Sequence, residues 1–181
     1  MDPRTFLRPP ALDVRPAPAV GEPARPLPVE LEPGRPAAIA FLRHAGCPFA
    51  ERTVQLLRDA AIASPEVRWL AISHATAADT ERWTEAIGGS GAVTVLSDPS
   101  RSCYAAWGLD RTPLGHFMGR RSLEAAVGLA RDGIRNRHPS GSRWQSAGTF
   151  ALDRELLVRW RMLPSHAGDL PDLDAALAAA R

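Results

Sequence analysis

From Ala37 onward, short apolar runs alternate with stretches of helical periodicity. Ala37–Leu42 is apolar throughout and reads as a strand buried on both faces. Residues 48–63 follow, with Val54, Leu57 and Ala61 recurring on one helical face. Val67–Ile72 predicts a second buried strand, and Ala75–Ile87 a second helix closed by Gly88-Gly89. Ala92–Leu96 predicts a third strand, after which Ser97-Asp98-Pro99 caps a short helix running to about Trp107. Strand and helix alternating at this pitch predict a parallel-type sheet with helices on both faces.

The rhythm then changes. Residues 109–145 hold one predicted helix, Ser122–Asp132, between loops rich in Arg, Gly and Pro. Thr149–Leu152, a turn at Asp153-Arg154-Glu155, and Leu156–Trp160 read as an antiparallel hairpin, and Asp172–Ala180 as a closing helix. At the other end, ten of the 17 prolines fall in residues 1–36, so no helix or central strand can persist there. Residues 1–26 are expected to form an extended Pro-rich tail, and residues 27–181 one domain with an insertion over about 109–145. Leu27–Leu31 is a candidate edge strand, followed by a turn at Glu32-Pro33-Gly34-Arg35.

Composition narrows the function classes. A net charge of +2 on 181 residues, with all 22 basic residues Arg, does not describe a nucleic-acid surface. No run reaches the roughly 20 apolar residues of a membrane span, and the start lacks the layout of a secretion signal. A cytoplasmic protein with no nucleic-acid or membrane partner is expected. Neither metal-ligand spacing nor a cofactor fingerprint occurs, so no metal and no cofactor is expected. His74, His116, His138 and His166 read as solvated or locally bonded imidazoles.

Two cysteines are too few for a disulfide scaffold, and a lone well-placed Cys reads as chemistry. Cys47 lies where the first strand turns, through Gly46, into Pro48 and the first helix. That order puts the sulfur at the helix N-terminus, where unpaired N–H groups and the helix dipole favour an anion. The thiolate is the reactive form. His44, three residues earlier, can pair with it or act as general base. Cys103 reads either as a small buried hydrophobe or as a resolving thiol that needs local unfolding to reach Cys47. Trp144, beside Gln145, is a candidate aromatic platform.

The strand–turn–Gly46-Cys47-Pro48-Phe49–helix order resembles the thioredoxin/peroxiredoxin superfamily. Leu96–Arg101, Tyr104–Leu109, Trp144–Asp153 and His166–Asp172 are similar to segments of its peroxiredoxin-like branch, the alkyl hydroperoxide reductase C/thiol-specific antioxidant-like proteins. The resemblance spans residues 17–180. It implies an α/β thioredoxin-like fold, a mixed central sheet with helices on both faces and a helical insertion before the final hairpin. It implies a thiol oxidoreductase in which Cys47 reduces a peroxide or disulfide substrate. An external thiol, either a thioredoxin-like protein or a low-molecular-weight thiol, would restore Cys47. A homodimer is a further expected assembly. Pro48 and the Gly148-Thr149 segment would lie against the sulfur and the substrate.

This sequence departs from the family pattern. The Thr three residues before the family's peroxidatic Cys is here His44, and the Pro four further back is Ala40. The register of the family's Arg holds Ala147, leaving Arg43, Arg52 or Arg143 to supply a guanidinium, with Arg43 the catalytic candidate and Arg143 the substrate-binding one. The position of a second Cys in a Cys-x-x-Cys pair holds Ala50. Two readings stay open: a single-cysteine thiol oxidoreductase, and a non-catalytic binding or redox-sensing module on the same scaffold.

Overall fold

The computed structural model describes residues 7–181, so the first six residues of the Pro-rich tail lie outside the described residues. Five strands form one sheet in the order β3-β2-β1-β4-β5. β1 (Ala37–Phe41) pairs in parallel with β2 (Arg68–Ser73), which pairs in parallel with β3 (Thr94–Ser97). On its other side β1 pairs antiparallel with β4 (Gly148–Leu152), and β4 with β5 (Val158–Met162). The sheet is therefore mixed, with its most apolar strand at the centre, where both faces must be covered.

Alternation along β1 divides the core. Ala38, Ala40 and Leu42 face α1 (Pro48–Ala63), α5 (Arg120–Arg131) and α6 (Leu173–Ala180), meeting Val54, Leu57, Leu129 and Leu177. Ile39 and Phe41 face α3 (Ser102–Ala106), in a cluster with Tyr104, Trp107 and Phe150. Phe41 lies 5.1, 5.5 and 6.0 Å from the rings of Tyr104, Trp107 and Phe150. Such ring contacts contribute on the order of 1 kcal/mol each beyond area burial. α2 (Ala77–Ala86) runs beside β3 and sends Trp83 into the first cluster.

Local chemistry explains several boundaries. Thr76 caps α2 by accepting from the Asp79 N–H, and Asp172 caps α6 by accepting from that of Ala175. The Asp98 carboxylate accepts from the N–H groups of Ser102 and Cys103, which starts α3. β3 begins two residues later than the pattern predicts, because Val93 closes a turn onto the Ser90 carbonyl. β5 begins at Val158 rather than Leu156. Asp153 holds the N–H groups of Glu155 and Leu157, and Leu156 takes φ 63° inside the longer turn.

The expected edge strand Leu27–Leu31 does not form. Pro26 and Pro28 remove donors there, and Leu27 and Leu31 instead pack on the aromatic cluster. Upstream, residues 7–26 run extended over the domain. Arg15 donates to the Ala105 carbonyl, Gly21 and Ala24 donate to those of Val158 and Leu156, and the Trp107 indole donates to that of Pro26. The insertion contains a second short helix, α4 (Leu114–Met118), which the sequence pattern does not reveal. Its two ends are drawn together by the Arg111–Gln145 bridge and by the buried Gln145 amide donating to the Leu109 carbonyl.

Candidate active site at the carboxyl ends of the parallel strands

Three parallel strands end side by side, and in open α/β sheets ligands bind beyond such ends. β1 runs on into Arg43 and His44, β2 into His74, and β3 into Asp98. Pairing extends one residue past β1, with Leu42 donating to the Ile72 carbonyl at 2.8 Å. The Tyr104 hydroxyl, arriving from the far face, lies 2.8 Å from the Leu42 carbonyl and 2.6 Å from that of Ile72. The ends of β1 and β2 are thus held in register where the turn to Cys47 begins.

Gly46 makes that turn at φ +86°, and a Cβ there would collide with the His138 carbonyl oxygen. Cys47 is then the N-cap of α1, with Pro48 at the first helical position. Its N–H donates to the His44 carbonyl at 3.1 Å, and its carbonyl accepts the Glu51 N–H at 3.0 Å. The predicted placement of the sulfur at a helix start is therefore present. Its exposure differs from that of an open active site: Cys47 is only 4% exposed.

Positive charge converges on this turn. Arg43 is 4% exposed, and its Nη2 donates to the Arg143 carbonyl at 2.9 Å. Its Nε and Nη1 are buried without a partner. Burial, chiefly, and then Arg43 lower the pKa of Arg143, while the charge of Cys47 opposes that shift. Cys47 and Arg143 thus interact although they are far apart in sequence. Arg52 instead donates to the Gln55 side chain on its own helix.

His44 is buried, and neither ring nitrogen has a partner. Burial first, then Arg43, Arg143 and His74, hold its pKa well below the ordinary imidazole value. A neutral His44 can accept a proton but brings no positive charge to a thiolate. That charge comes from Arg143, whose guanidinium interacts with Cys47. His74 is likewise buried, and of the two readings, solvated or locally bonded, it is locally bonded. Burial, followed by Arg101 and Arg43, lowers it to about 4 against opposing contributions from Ser142 and Asp98. The Ser142 N–H donates to its Nε2 at 2.9 Å.

Thr149 pairs with Ala40 across the β1–β4 ladder and lines a cavity of about 20 Å³ with Arg43, Phe49, Ala50 and His116. That space suits one water-sized molecule. Gly148 pairs with Phe41 and lines the same cavity. His116, read from the sequence as a solvated or locally bonded imidazole, is buried with an unpartnered Nε2 and has its pKa lowered by burial and then by Arg43. Trp144 packs edge-on against Phe117 and carries the Arg8 guanidinium over its ring at 4.5 Å.

The insertion covers Cys47. Arg137 donates to the Gly46 carbonyl at 2.9 Å and Ser140 to that of Ala45 at 3.0 Å. The Arg137 side chain reaches Glu51 in the first turn of α1, with contacts of 2.9 and 3.1 Å. Cys103 is not brought to the site. It packs in the aromatic cluster, and its thiol pKa is raised by burial and then by Asp98.

The sequence matches the family described as AhpC/TSA antioxidant enzyme over residues 55–164, a span that begins after Cys47. The fold is similar to that of a peroxiredoxin-like protein from Aquifex aeolicus, with TM-score 0.64 and 16% identity over 93% of this chain and 89% of that one. It is also similar to a thiol peroxidase from Chromobacterium violaceum, with TM-score 0.61 and 15% identity over 93% and 89% of the two chains. A putative thiol:disulfide interchange protein DsbE from Chlorobium tepidum aligns with TM-score 0.55 and 12% identity over 91% and 99%. At these identities the likeness is one of fold, and the fold is thioredoxin-like. No curated protein matches the sequence.

Proposed function

We propose, for a chain that belongs to the AhpC/TSA antioxidant enzyme family, that Cys47 is the nucleophile of a thiol-dependent peroxide reduction. One observation carries the reading. Cys47 is the N-cap residue of α1, the Arg143 guanidinium interacts with it from the distant insertion, and Arg43, in the same turn as Cys47, holds the Arg143 carbonyl. Helix terminus and guanidinium groups together favour the negative charge that develops on a departing oxygen.

The thiolate attacks one peroxide oxygen. An S–O bond forms as the O–O bond breaks, and the leaving alkoxide or hydroxide takes up a proton. The peroxide becomes an alcohol or water, and Cys47 becomes a sulfenic acid. Buried His44, with its pKa lowered and neither ring nitrogen partnered, is a weak base, so the thiol proton leaves to solvent and the leaving oxygen takes its proton from there. Arg43 and Arg143 take the role of the guanidinium whose family register holds Ala147. A disulfide substrate reacts at the same sulfur by thiolate exchange. The test compares peroxide consumption, with a thiol reductant, between the wild-type protein and Cys47→Ser. Abolished turnover in the variant is expected, and equal turnover in both overturns the reading.

A second reading is favoured by the burial of Cys47 under the insertion. A covered thiol suits a redox sensor that is oxidised once and does not cycle. Mass spectrometry during peroxide titration separates the two. One sulfenate or mixed disulfide per chain without continued peroxide loss selects the sensor, and continued loss selects the enzyme.

A further inference from the structure

A column of cations and aromatic rings connects the N-terminal segment to the turn that carries Cys47. At its outer end the Arg8 guanidinium lies over the Trp144 ring, 4.5 Å from the centroid. Trp144 meets Phe117 of α4 edge-on, with centroids 5.2 Å apart and planes at 87°. The Arg43 guanidinium in turn lies over the Phe117 ring at 5.6 Å. Three stretches far apart in sequence thus meet in one stack, and the reaction at Cys47 as described so far uses only its inner end.

The inner cation depends on the ring. Arg43 is 4% exposed, and among the described residues no carboxylate pairs with it. A buried guanidinium without a counter-ion is costly, and an aromatic face offers it the negative side of the ring quadrupole. The same guanidinium donates from Nη2 to the Arg143 carbonyl at 2.9 Å. Where the Phe117 ring sits therefore decides where Arg43 sits, and Arg43 fixes the backbone from which Arg143 reaches Cys47. The outer end is held as well. Arg111 and Arg101 donate to the carbonyls of Pro9 and Pro10 at 3.3 and 2.9 Å, which keeps Arg8 above Trp144. The aromatic platform suggested by the sequence at Trp144 is filled by the chain's own Arg8.

We propose that Phe117 is a positioning residue for the reaction at Cys47, and that Trp144 and Arg8 complete its seat. The inference rests on the catalytic reading of Cys47. Phe117 acts through Arg43: the ring holds Arg43, Arg43 holds the Arg143 carbonyl, and the Arg143 guanidinium meets the charge on the departing oxygen. Arg8 keeps the Trp144 ring against Phe117, so the Pro-rich segment has a part in the chemistry.

The test compares two rates in the full chain. One is sulfenic acid formation on Cys47 by hydrogen peroxide, and the other is alkylation of Cys47 by iodoacetamide. Both are followed by mass spectrometry at concentrations where rate is proportional to reagent. Both reactions need an accessible sulfur, so their ratio cancels changes in the cover and isolates the help given to the departing oxygen. Phe117→Leu keeps apolar bulk and removes the ring. It is expected to lower the peroxide-to-iodoacetamide ratio about fivefold, and Phe117→Tyr to restore it. Arg8→Gln, at the exposed end of the column, is expected to lower the ratio about twofold, and Arg8→Lys to recover it. An unchanged ratio in Phe117→Leu or in Arg8→Gln overturns the proposal. So does an equal loss in Phe117→Leu and Phe117→Tyr, the result expected of plain packing. A wild-type Cys47 that peroxide does not oxidise overturns the catalytic reading and the proposal with it, whereas an oxidised wild type with unchanged ratios in the variants overturns the proposal alone.

Discussion

Cys47 and Cys103 lie on opposite faces of the central sheet. Cys47 belongs to the cluster between the sheet and α1, and Cys103 packs with the aromatic cluster on the α3 side. A bond between them would require the strands that separate them to part. Burial and Asp98 also hold Cys103 as a thiol, the less reactive form. Peroxide treatment is therefore expected to leave no Cys47–Cys103 disulfide in non-reducing peptide maps. Cys103→Ser should retain peroxide consumption within about twofold of wild type. A stoichiometric cross-linked peptide would sink this account.

The parts of this fold that were legible in the sequence are those written in short windows. β1 announced itself as an unbroken apolar run, and α1 by Pro48 and the Val54–Leu57–Ala61 face. α6 did so by its Asp172 cap. The site was legible in local sequence at Gly46-Cys47-Pro48, whereas Arg43 and Arg143 were named only as stand-ins for the family guanidinium. Arg143 and Arg137 reach it through contacts closed by a long insertion, which no local periodicity encodes. His74 could have been flagged, since it directly follows the apolar run of β2 at the end where such sheets hold ligands. The late start of β5 depends on Leu156 at positive φ, a conformation its side chain does not advertise.

Buried neutral imidazoles make stability fall with acid. An unfolded chain protonates His44 and His74 below about pH 6.5. The folded chain keeps His74 neutral down to about 4 and His44 neutral well below its ordinary value. Stability is thus full above about 6.5 and declines as pH falls toward 4, by on the order of 3 kcal/mol for His74 alone. Lowered carboxylates such as Asp79 and Asp153 act mainly below that window. Urea midpoints between pH 7.5 and 4.5 should drop, and His74→Gln should flatten the curve. A midpoint constant across the window contradicts the burial argument.

The Arg137–Glu51 pair holds the insertion against α1. Glu51 is 5% exposed in its side chain and Arg137 40%, so solvent weakens the pair from one side only. Glu51→Gln is expected to cost about 1–2 kcal/mol, the range of a charge-assisted hydrogen bond with part of its strength screened. It should also speed iodoacetamide modification of Cys47 about tenfold and raise amide exchange over residues 134–143. Arg137→Gln should reproduce both effects. Unchanged Cys47 modification in both variants would show that the pair does not hold the cover.

The backbone bonds from Arg137 and Ser140 to the Cys47 turn carry a consequence for timing. A sulfur beneath such a cover meets an oxidant only during excursions of the chain. Once peroxide is abundant enough to capture every excursion, adding more cannot hasten oxidation. The molecule's own breathing frequency then becomes the speed limit, and the thiol responds to how long an oxidant persists rather than to how concentrated it is.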